Sequence, residues 1–110
     1  MKYLCLVYME EENLHAVPDR ECVACGDSLR RSGQLLAAEA LQPTETATTV
    51  RVRHGKMSVT DGPFAETKEH LAGFYLIEAR DLNDAIQVAA KIPPARAGSV
   101  EVRPVRELTP

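Results

Sequence analysis

Residues 2–9, Lys-Tyr-Leu-Cys-Leu-Val-Tyr-Met, are apolar at positions of both parities. Tyr3, Cys5 and Val7 alternate with Leu4, Leu6 and Tyr8. Successive side chains of a strand point to opposite faces of its sheet. The segment therefore reads as a strand buried on both faces and central in its sheet. A chain of 110 residues meets that demand with difficulty. The length suits one domain, residues 1–110, with helices covering one sheet face and no third layer for the other. A second copy stacked sheet on sheet is the economical cover, so a homodimer is expected.

The sequence offers few other ways to reinforce a small core. The three cysteines, Cys5, Cys22 and Cys25, are an odd number, which argues against a complete disulfide framework. Cys22-x-x-Cys25 has no second cysteine pair or closely spaced histidine pair to complete a zinc site, so no metal and no cofactor are expected. As a redox pair it would sit at a helix start just after a strand. Here it falls within a helix that follows a loop, and it reads as two small apolar residues near a buried helix face.

The rest of the chain divides readily. Pro18, Asp19 and Glu21 suit a helix N-terminus, and Arg30, Arg31 and Gly33 suit its end, predicting a helix over 18–32. Residues 34–41 read as a strand with weak strand formers. Residues 47–60 alternate as a hairpin around His54-Gly55, where Gly supplies positive φ. Asp61-Gly62-Pro63 is turn punctuation, 65–69 a polar loop or single helical turn, and 71–79 a strongly apolar strand. Asp81 is the expected N-cap of the clearest helix, whose stripe is Leu82, Ala85, Ile86, Ala89 and Ala90. Pro93-Pro94 ends it, and 100–105 forms a last strand with Pro104 at its edge.

The order β-α-β-(hairpin)-β-α-β gives an α+β, ferredoxin-like sandwich with both helices on one face. Net charge is −3, which offers nucleic acid no basic face, although Arg51 and Arg53 share a strand face. No apolar run approaches the roughly 18–20 residues of a membrane span, and no cleavage site follows the first apolar run. A cytoplasmic protein with neither nucleic-acid nor membrane partners is the expectation.

Val59-Thr60-Asp61-Gly62-Pro63-Phe64-Ala65-Glu66-Thr67-Lys68-Glu69, running into Leu71-Ala72-Gly73-Phe74-Tyr75, closely resembles the YCII-related proteins of the DGPF subgroup. Met1-Lys2-Tyr3-Leu4, Glu39-Ala40-Leu41-Gln42-Pro43 and Gly98-Ser99-Val100-Glu101-Val102 fit the same family, and residues 10–30 fit it least. The resemblance implies a ferredoxin-like fold assembled as a dimeric α/β barrel. It implies a small bacterial protein, often encoded beside extracytoplasmic-function sigma factors, and no known reaction. A His/Asp pair proposed as catalytic in some members does not transfer, although Asp61 is nearest to its aspartate.

Candidate residues follow from clustered ionisable groups. Asp61, Glu66 and His70 are the candidate catalytic groups, able to hold or move a proton beside a tight turn. Glu39, a charge in a strand of small residues, needs a partner or a cleft. Glu39, Lys68, Arg96 and Tyr8 are candidate ligand contacts, the two cations for an anionic group. Each has a plainer role: turn former for Asp61, solvated loop for Glu66 and Lys68, core packing for Tyr8. The functional expectation is a small polar ligand held in a dimer cleft, with acid/base chemistry if these groups converge. The alternative is a non-enzymatic partner protein in a sigma-factor pathway.

Overall fold

The computed structural model describes residues 1–110. Eight principal elements follow in order: β1 (Lys2–Met9), α1 (Asp19–Arg31), β2 (Leu35–Ala40), β3 (Thr48–Arg53), β4 (Lys56–Asp61), β5 (His70–Glu78), α2 (Leu82–Lys91) and β6 (Ser99–Pro104). Four strands form one antiparallel sheet in the order β2-β5-β1-β6, and β3 and β4 form a separate hairpin. This is α+β with two helices on one sheet face, the layout compatible with a ferredoxin-like fold. No helix is long and apolar enough to cross a membrane.

The two helix ends show why the elements stop where they do. Pro18 takes the N-cap position of α1 rather than its first turn. At the other end Gly33 N–H donates to Arg30 O and Gln34 N–H to Leu29 O, the paired bonds of a Schellman cap. The Asp81 side chain accepts from Asp84 N–H at 2.8 Å, capping α2. His54 and Gly55 both take positive φ (52° and 74°) and turn the hairpin in two residues.

Burial along β1 alternates strictly. Tyr3, Cys5, Val7 and Met9 are buried beneath the helices with Tyr75 and Ile77 of β5. Leu4, Leu6 and Tyr8 lie on the opposite face, paired with Leu76, Phe74 and Leu71. β1 is central, as its sequence implies, but only one of its faces is covered within the chain. The other apolar face is half-buried by its own neighbours and has no layer over it.

The stripe of α2 also differs from expectation. Ala85, Val88, Ala89 and, past the helix end, Ile92 are buried, while Leu82 and Ile86 are 51% and 46% exposed. These four keep the i, i+3, i+4, i+7 spacing, turned by one flank of a broad apolar arc. Small Ala85 and Ala89 let the helix come close, and the bulkier Val88 and Ile92 fill the core beside them.

Candidate functional site

The hairpin register builds the main cleft. Pairing Thr48 with Asp61 brings the chain before β3 alongside the chain after β4. Gly62 N–H donates to Ala47 O at 2.8 Å, and Thr49 Oγ1 donates to Gly62 O at 2.9 Å. Leu41 N–H donates to Ala72 O at 2.8 Å, tying the end of β2 to β5. Between these segments lies a cleft of about 620 Å³. Tyr8 and His70 line it from β1 and β5, Thr44 and Thr46 from the β2–β3 connection, and Pro63 and Phe64 from the loop after β4.

Several contacts fix the walls. Arg51 holds its guanidinium 5.9 Å from the centre of the Phe64 ring, a cation–π contact joining hairpin to loop. Thr44 Oγ1 donates to a Glu11 carboxylate oxygen, and Ser99 Oγ donates to Glu69 Oε1 at 2.6 Å. Within the lining the ionisable side chains are His70 and Tyr8; Leu41, Leu71 and the two prolines supply apolar wall. Such a cleft can hold a small molecule by apolar contact and by hydrogen bonds from hydroxyl and imidazole groups. One imidazole there has no carboxylate in the lining to orient it.

The predicted residues separate into places. His70 and Tyr8 share this cleft. Asp61 ends β4 and is exposed; Glu66 is exposed in the loop beyond. Neither lines it, so Asp61, Glu66 and His70 do not converge on this cleft within the chain. Lys68 lies 3.5 Å from Glu10, and Arg96 lies 2.5 Å from Glu21 on α1. Lys68 and Arg96 are themselves exposed, and surface pairs of this kind contribute little. Glu39 is exposed on edge strand β2, so its charge stays in water and needs no partner.

Glu39 borders a second hollow of about 300 Å³ beneath α1, with Cys22, Gly26, Val7, Phe74 and Tyr75. Burial pushes the Tyr75 hydroxyl up to about 12. Burial likewise raises the Cys22 thiol, aided by Asp19 and Glu21, and the Cys25 thiol. Both thiols are therefore protonated and poor nucleophiles at neutral pH. All three cysteines are free, and no three His, Cys, Asp or Glu side chains come together as a metal site.

Thr44, Thr46 and Leu41 were not among the sequence candidates. Their signal was nonetheless present, because closing a hairpin at His54-Gly55 obliges residues 44–47 to abut 62–65. The YCII-related domain family matches residues 1–109 of this chain. An uncharacterised protein of Rhizobium meliloti is 46% identical over 76 residues, covering 67% of this chain. That stretch is 61% of the relative, so the chain spans less than two thirds of the relative's length.

Proposed function

The chain belongs to the YCII-related family, and from that premise we propose that it is a ligand-binding protein of the DGPF subgroup. It acts in the cytoplasm as a homodimer closed into an α/β barrel, with a small molecule held in the cleft beside the Asp61–Phe64 turn. The observation that carries the reading is the convergence of Tyr8, His70 and the Pro63-Phe64 loop on one cleft of about 620 Å³. The dimer draws support from Leu4, Leu6, Phe74 and Leu76, an apolar stripe on a sheet face without cover. Large exposed apolar patches on small domains mark interaction sites.

The ligand this lining suits is neutral, with an apolar body and one or two hydrogen-bonding groups. The carboxylates and cations of Asp61, Glu66, Lys68 and Arg96 lie outside the lining, which favours binding over a carboxylate-driven proton transfer. Any proton handling in the cleft falls to His70. The test is a fragment screen of small amides, lactones and phenols, read by amide chemical shifts. Shifts clustering at Tyr8, Thr44, Phe64 and His70, weakened about tenfold by Tyr8→Phe or His70→Ala, are expected. Fragments that move only residues outside the cleft, or bind these variants unchanged, would defeat the reading.

A further inference from the structure

The β3–β4 hairpin stands apart from the sheet, and its two faces differ. Val50 pairs with Val59 and Val52 with Met57, so all four share one face. Their exposures are 57%, 56%, 61% and 71%. A two-stranded hairpin alone is marginally stable in water. This one leaves its entire aliphatic face in solvent. The radius of gyration, 15.6 Å, exceeds the roughly 13 Å of a compact domain of this length.

Charge narrows what covers that face. Thr48–Asp61 contains Arg51, Arg53, Lys56 and Asp61, a net +2 in a chain of net −3. The remainder therefore carries −5. A basic arm on an acidic body is complementary to a second copy of itself. The body offers acidic groups at both sheet edges, Glu39 on β2 and Glu101 on β6, beside the central stripe of Leu4, Leu6, Phe74 and Leu76 that the sheet-on-sheet contact would cover.

We propose that the β3–β4 hairpin is a clasping arm, laid apolar side down on a second copy of this chain. This deepens the homodimer reading and rests on it. At roughly 100 Å² of apolar surface per aliphatic side chain, each arm would bury about 400 Å² of its own. Two arms and the matching surfaces beneath them reach about 1,600 Å², the area of a standard stable interface. The arm also joins the cleft through Arg51 and Phe64, so clasping fixes one wall of the ligand site.

The experiment compares wild type with a Val52→Lys/Met57→Lys double variant by sedimentation velocity, from nanomolar to high micromolar protein. The expected result is a wild-type dimer and a variant whose dissociation constant rises at least about a hundredfold, its circular dichroism unchanged. A wild-type dimer matched by an equally tight variant overturns the arm and leaves the sheet-face dimer standing. A wild-type monomer throughout overturns both. Hydrogen exchange on the wild type gives an independent readout should the variant misfold. Protection at residues 50–59 in the wild-type dimer supports the arm, and free exchange there in the dimer overturns it.

Discussion

Gly98→Ala should separate β1 from β6 at the rim of the cleft. A Cβ at Gly98 would lie 2.1 Å from Tyr8 O and 2.8 Å from Met9 Sδ. Ordinary carbon–oxygen contacts lie at about 3.3–3.6 Å. The Met9 side chain can swing aside, but the Tyr8 carbonyl is backbone, held where Tyr8 pairs with Ser99. The strand must give by more than about 1 Å, an overpacking cost of about 2–3 kcal/mol. For a domain of this size that lowers the melting temperature by about 8–12 °C. Gly26→Ala is the control for glycine chemistry alone. It lies inside α1, and its Cβ would meet Leu35 Cδ2 at an ordinary 3.8 Å. Relief of backbone entropy should stabilise it by about 0.5–1 kcal/mol. Urea and thermal melts of both variants read the contrast. Gly98→Ala within about 0.5 kcal/mol of wild type would refute the close-approach argument, since that is the spread of an uneventful surface change.

Two further outcomes are expected. Asp81→Ala should cost about 1 kcal/mol by removing the cap of α2, whereas Asp81→Asn keeps an acceptor and most of the stability; equal losses in urea melts would contradict the capping role. Burial pushes the Cys5 thiol up from its ordinary 9.0 to about 11. Between those values the unfolded chain releases its proton and the folded chain keeps it, so stability falls as pH rises. The loss is roughly 2–3 kcal/mol across that window, with Tyr75 adding the same sign from about pH 10 upward. Urea melts at stepped alkaline pH should show this slope, flattened in Cys5→Ala; an unchanged slope would remove Cys5 as its source.

Much of the fold was legible in the residues because its signals are local. The N-cap at Asp81, the positive-φ turn at His54-Gly55 and the Pro93-Pro94 stop each act within one turn of chain. They placed the strands and helices within one or two residues. The stripe of α2 was harder to read, because Leu82, Ala85, Ile86, Val88 and Ala89 form an arc wider than the surface it can bury. Which part faces inward depends on the sheet beneath it.

The candidate site was legible only by half. The sequence brought attention to the Asp61–Glu69 run, and its loop does form one wall of the cleft. Clustering in sequence suggested that Asp61, Glu66 and His70 would meet, yet Asp61 and Glu66 are exposed outside the cleft that His70 lines. Glu39 looked costly beside alanines until the topology made β2 an edge strand open to water.

What the sequence determined alone was the order of elements, the central place of β1 and the excess of apolar surface on its second face. Those properties follow from side-chain alternation and turn chemistry, which act along the chain. The tertiary structure decided which charges face water, which segments enclose the cleft, and that the hairpin leaves its aliphatic face uncovered. Those depend on strand order and register, and bring together residues that no spacing along the chain relates.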